Sequence, residues 1–285
     1  MAIAGVIRRR IGTAVLDRVV GQHDLERVSR PYGRVAEAER WFSVDRPVRQ
    51  VHSDCAMFVG GIAAVLLQSV HPLVMAAVAD HSGYRSDPWG RLQRTSYFVA
   101  ATTFATPGHA HAATAKVRAI HQHITGTAPD GRPYAASDPH LLRWVHVAEI
   151  TAFLGAYTVY GGEPLGQARR DAYVADMARV ATEMGVPDPP RTQAEVAATL
   201  DRYRPELAGT PQAREAARFL LFKPPLPLIL RPVYGGLGAA AVSLLPRWAR
   251  RELRLPSLPV AEAVLVRPAG RLAVNAIRWG ISAPG

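Results

Sequence analysis

TPGHAHAATAKVRAIHQHITG, spanning Thr106–Gly126, carries four of the chain's ten histidines, and its period decides the fold. Thr106-Pro107 sets a capping side chain before a proline suited to the first helical turn, and Gly126 is a stop signal. At about 100° per residue, Ala110, Ala113, Val117, Ile120 and Ile124 fall on one side. His121 lies at the edge of that sector, with Val117 at i−4 and Ile124 at i+3. Thr114 sits beside it and Arg118 just beyond. His111 and His123 point away, and His109 borders the Ile120 side in the fraying first turn. Of the four, His121 is directed at the core. A lone inward histidine is more often a hydrogen-bonded core residue than a ligand, but neutral imidazole is also the commonest protein ligand for metals. The period leaves both readings open.

The same signals recur along the chain. Asp87-Pro88 and Asp138-Pro139 are further helix starts, and Gly161-Gly162 is a stop. Helices are expected near 48–70, 72–80, 88–105, 107–125, 139–160, 164–185, 191–203, 211–222, 233–245, 247–253 and 259–280. Strand signals are scarce, so the expected fold is all-α, a single compact multi-helix domain. GTAPDGRPYAASDP (126–139) is a turn-rich loop. FKPPLPLILRP (222–232) is expected to run extended, because four prolines exclude a regular helix. Two apolar stretches, 55–70 and 233–245, are shorter than the ~20 residues a membrane span needs and are expected to be core helices.

The 285 residues, 48% of them hydrophobic, are ample for a large core. The net charge of +11 is concentrated late: from Arg218 onward ten Arg/Lys face only Glu252 and Glu262. A basic tail can meet anionic membranes or nucleic acid, or simply solvate helices that pack through Leu and Val. Its arginines are interleaved with prolines and apolar residues, with no reading helix or stacking platform, so nucleic acid is not expected as a partner. The single cysteine, Cys55, excludes an intramolecular disulfide and fits a reducing compartment. Asp17 and Arg18 interrupt the apolar start of the chain, so no signal peptide is expected.

Three other clusters can carry chemistry. Arg91, Thr95, Phe98 and Thr102 share a face of helix 88–105, with Arg94 at its margin. That stripe suits a buried propionate or phosphate, or else an exposed arginine beside a core phenylalanine. His146, Glu149, Ile150, Phe153 and Tyr157 share a face of helix 139–160, where Glu149 is read as a polar contact at the core edge. His71 lies in an apolar neighbourhood before Pro72, where it could satisfy the carbonyls of a broken helix. Several enzyme templates are absent: a Walker loop, GxGxxG, zinc-spaced cysteine pairs and GxSxG. The di-iron Glu-x-x-His motif occurs only in reverse, once, at His146–Glu149.

The ordered set HPLV (71–74), DPWGRLQRT (87–95), VRAIH (117–121), GTAPDGRPY (126–134) and WVH (144–146) resembles the MpaB-type oxygenase family, which includes the rubber oxygenase called latex clearing protein. The resemblance covers roughly residues 40–250, leaving residues 1–39 as an extension and residues 251–285 as a basic helical tail packed on the domain. It implies an all-α fold around one b-type haem. The family's Arg-x-x-His pattern falls on Arg118 and His121, making His121 the implied proximal iron ligand. Its Arg-x-x-Lys-Thr stretch falls on Arg91, Arg94 and Thr95. Arg94 stands in place of a lysine able to cap the iron, and a guanidinium stays protonated. The distal side is then open or approached by His71, so Arg94 and His71 are the candidate catalytic residues. Arg91, Thr95, Arg118 and His146 join His121 as candidate cofactor contacts. The rubber oxygenase's glutamate base has no counterpart in HPLVMAAVADHS, so rubber cleavage is not transferred.

The expected protein is a haem b-dependent oxygenase or oxidase acting with O₂ on a hydrophobic or natural-product-like small molecule. It is expected to be cytoplasmic, with peripheral membrane contact through its basic C-terminal region. The rival reading is a haem-free helical protein that binds an apolar ligand, at a membrane or free.

Overall fold

A computed structural model describes residues 36–281; most of the N-terminal extension and the last four residues of the tail lie outside them. Twelve helices are labelled here: α1 Pro47–His52, α2 Met57–Gln68, α3 Pro72–His81, α4 Pro88–Phe104, α5 Pro107–Gln122, α6 Pro139–Tyr160, α7 Gln167–Glu183, α8 Gln193–Tyr203, α9 Pro211–Phe222, α10 Arg231–Leu244, α11 Arg247–Leu253 and α12 Arg267–Ile281. The expected starts form as read. The Asp87 carboxylate accepts from Gly90 N at 2.9 Å, Thr106 Oγ1 from His109 N at 3.4 Å, and Asp138 from His140 N at 2.8 Å. Thr192 and Thr210 cap α8 and α9 in the same way.

Three expectations are corrected. The helix foreseen over 48–70 is broken between His52 and Met57. There the Asp54 carboxylate accepts from Ala56 N at 2.7 Å, and it is held by Arg278 Nη2 at 2.9 Å and Gly162 N at 3.1 Å. The loop foreseen over 126–139 contains a hairpin, β1 Thr125–Thr127 paired antiparallel with β2 Pro133–Ala135. Gly131, at φ +84°, makes its turn. Tyr134 crosses over Gly126 in the register, leaving no room for a side chain there, and its hydroxyl donates to Asp80 at 2.6 Å. The helix foreseen over 259–280 contains a π-helical turn, Glu262–Val266, where Glu262 turns inward to pair with the buried Arg250 and accepts from Leu258 N. In the proline-rich 222–232 segment only Leu228–Leu230 is helical before α10, as one 3₁₀ turn.

The core is built on α2 and α6, whose contact is the most extensive between any two elements. A side chain at Gly60 would press on Phe153 at 3.1 Å and Ala156 at 3.3 Å, so the glycine sets how closely these helices approach. Trp144, Ile150, Leu66 and Leu67 are fully buried in this layer. α7 and α10 flank it, and α12 covers α10. At His71-Pro72 the chain turns by 109° between α2 and α3. Among the described residues, no single helix is long and apolar enough to cross a membrane.

Candidate functional site

On α5, Ala110, Ala113 and Thr114 are buried, and Val117 and His121 continue the same stripe half-buried. His121 therefore points inward, as its period predicts. Ile120 does not: it is 49% exposed, outside the apolar side assigned to it. His109, His111 and His123 are exposed; His111 Nδ1 meets Glu183 at 3.1 Å. The His121 Nδ1 atom is buried with no hydrogen-bond partner, and burial lowers the ring's pKa, keeping a neutral imidazole with a free lone pair. The ring lines a cavity of about 190 Å³ with Arg118, Gln122, Ser137, Leu142, Met184 and Gly185. Arg118 is exposed and reaches toward the Glu183 carbonyl.

Only Ala105 and Thr106 link α4 to α5, and the two helices pack together. Arg91 lies in the first turn of α4 and His121 in the last turn of α5, at the helix ends remote from that link. Leu92 and Ile120, also at those ends, are exposed apolar side chains. Arg91 is half-buried and donates to Ser82 Oγ at 2.9 Å. It has no carboxylate partner among the described residues, and burial lowers its pKa. Arg94 is exposed and paired with Asp87 at 3.2 Å. Thr95 is exposed, its hydroxyl donating to the Arg91 carbonyl.

α6 separates two polar groups. Leu142, His146 and Glu149 lie on one side of it, roughly half a turn round from His140 and Trp144. His146 is buried with Nε2 unpartnered, its pKa pushed down to about 3 by burial and then by Arg143. Burial pushes the Glu149 carboxyl up to about 7, which makes it far less bland than its position in the sequence suggests. Close by, Tyr173 is fully buried beside His52 Nε2 at 3.2 Å, while His52 Nδ1 meets Thr103 Oγ1 at 2.8 Å. His52 is brought down to about 3 by burial. Sequence reading missed it, although its place one turn after the buried Val48 on α1 is a signal for an inward direction.

His71 is on the other side of α6. It is 1% exposed, with its ring 6.1 Å from that of Trp144 and 6.3 Å from that of Tyr203. It makes no side-chain cap on α3, and neither ring nitrogen has a hydrogen-bond partner, so it does not satisfy the carbonyls of the broken helix. Arg118 lines the cavity with His121, Arg91 is not among its lining residues, and His71 is set behind α6, away from it.

The sequence profile described as the catalytic domain of the ER-bound oxygenase mpaB/B' and of the rubber oxygenase matches residues 49–279. No curated protein matches the chain, and no solved structure does.

Proposed function

The chain belongs to the mpaB/rubber oxygenase catalytic-domain family, an oxygenase family, and from that premise we propose that it is a haem b-dependent oxygenase in which His121 would hold the iron. The observation that carries this reading is the buried, unpartnered Nδ1 of a neutral His121 at one end of a cavity. The donor chemistry fits the cofactor. A neutral imidazole offers its lone pair to iron. Arg91, a half-buried cation without an acid, is suited to a propionate. This partly open cavity by itself is smaller than the ~300–1,000 Å³ of typical ligand pockets. The exposed apolar side chains Leu92 and Ile120 offer further surface for a flat apolar group.

Bound there, haem supplies O₂ activation, chemistry that no side chain of the protein provides. The chain's own residues bind, orient and manage protons. Arg118 lies one turn before His121 at the cavity mouth. Glu149, titrating near neutrality, can hold or release a proton in the polar group on the Leu142 side of α6. Arg94 is engaged with Asp87 at the surface. Leu142 and Met184 supply the apolar part of a lining that Arg118, Gln122 and Ser137 otherwise make polar.

Hemin added to the purified protein should produce a Soret band, and His121→Ala should abolish or strongly shift it. A protein that stays colourless with hemin sinks the reading and favours a haem-free binder of an apolar ligand.

Peripheral membrane contact is proposed for the C-terminal surface. Val260, Leu265 and Leu272 are exposed there beside Arg267 and Arg271, the pairing of apolar and basic groups that favours an anionic interface. Loss of sedimentation with anionic vesicles on Leu265→Glu/Leu272→Glu substitution would support it. Equal sedimentation of both proteins would refute it.

A further inference from the structure

On the far side of α6 from His121, three side chains from separate parts of the chain meet. His71 comes from the α2–α3 bend, His140 from the first turn of α6, and Glu206 from the 3₁₀ turn after α8. One ligating atom from each lies within 4.8 Å of the others. His140 Nε2 is 2.8 Å from Glu206 Oε2, and His71 Nε2 is 3.7 Å from that same oxygen. The second distance is too long for a hydrogen bond. Donors bound at 2.0–2.2 Å to one tetrahedral ion stand about 3.4 Å apart, so small side-chain movements complete the arrangement.

The decisive residue is His71. Its imidazole is almost wholly buried, and both ring nitrogens lack a hydrogen-bond partner. Buried polar atoms are ordinarily satisfied. Here a nitrogen without a partner stands beside a carboxylate and a second imidazole, the arrangement that an ion between them would satisfy. The surroundings fit. The His71 ring packs against Trp144 and Tyr203, which hold it in place beside the other two groups. The ring of His140 lies 4.6 Å from that of Tyr203, whose hydroxyl donates to the His140 carbonyl at 2.7 Å and stands 3.4 Å from its Nδ1. That is how an outer partner fixes a metal-binding histidine. Of the nearby cations, Arg132, which acts on His71 and Glu206, is chelated by Asp130.

We propose that His71, His140 and Glu206 bind a divalent transition-metal ion of the zinc class. Two imidazoles and one carboxylate suit such an ion. Both His140 and Glu206 are exposed, so the outer coordination positions face solvent. This site is independent of the haem reading.

The probe is Zn²⁺ itself, added to full-length protein stripped with a chelator and followed by calorimetry and elemental analysis. One zinc per chain is expected. His140→Ala and Glu206→Gln, both surface changes that leave the fold intact, should each weaken binding at least about tenfold, and Tyr203→Phe should weaken it less. His121→Ala should leave it unchanged. Co²⁺ in place of Zn²⁺ should give visible absorption bands that disappear in His140→Ala. No stoichiometric zinc, or zinc held equally well by His140→Ala and Glu206→Gln, would overturn the proposal. If His121→Ala alone lost the metal, the ion would belong to the other side of α6 and the proposal would fail.

Discussion

Glu149→Gln isolates the cost of placing a carboxyl inside this protein. The substitution keeps the shape and removes the charge. In the unfolded chain the carboxyl titrates near 4.5, and in the folded protein burial raises this to about 7. Below pH 4.5 both states are protonated and the carboxyl costs nothing by ionising. Between 4.5 and 7 the unfolded state loses its proton first, so native stability falls as pH rises. Above 7 both states are ionised, and the native state carries the whole penalty. At about 1.4 kcal/mol per pH unit, the full shift amounts to roughly 3 kcal/mol. The buried histidines His52, His71 and His146 titrate low and act in the opposite sense, destabilising the fold as pH falls below about 6.5. They are common to both proteins and cancel in the difference. Urea unfolding of the parent and of Glu149→Gln at pH 4, 6 and 8 measures that difference. It should be near its minimum at pH 4 and grow in favour of the variant to roughly 3 kcal/mol at pH 8. A difference that is the same at all three values would refute the placement of a strained carboxyl at this position.

Gly60→Val tests the close approach of α2 and α6. The new methyls would press on Phe153 and Ala156, and a loss of roughly 1–3 kcal/mol is expected; an unchanged thermal midpoint would contradict it. Arg91→Ala tests the unpaired cation. Among the described residues its side chain donates one hydrogen bond, to Ser82, so helical content should persist while hemin affinity in a Soret titration falls roughly tenfold or more. Full hemin affinity in the variant would remove Arg91 from the site.

What could be read from the chain, and what could not, follows the range of each interaction. The starts of α4, α5 and α6 were legible because a cap and its proline are neighbours in sequence. The inward direction of His121 was legible because it needs only the helical period. Ile120, one residue away, shows the limit of that argument: the apolar side of a helix is covered only if something packs there. The break before Met57 was not legible, because the Asp54 carboxylate that shapes it answers to Gly162 and Arg278. The charge state of Glu149 depends on the depth at which α6 is buried. His140 and Glu206 gave no signal, since only the folded chain sets them beside His71. The family's motif spacing reached the level of the fold and of oxygenase chemistry. It says nothing of which nitrogen atoms are left without partners.

The Asp54 carboxylate makes the break in the first long hydrophobic segment the anchorage for the last helix, through Arg278, and for the end of α6, through Gly162. Arg278 also reaches the Tyr160 carbonyl. α12 is thus moored to a knot tied near the start of the described chain. A nascent chain cannot fasten that knot until its final helix has been made. The bond from Ala56 N to Asp54 is local and needs nothing further along the chain, whereas the Arg278 partner lies 224 residues later.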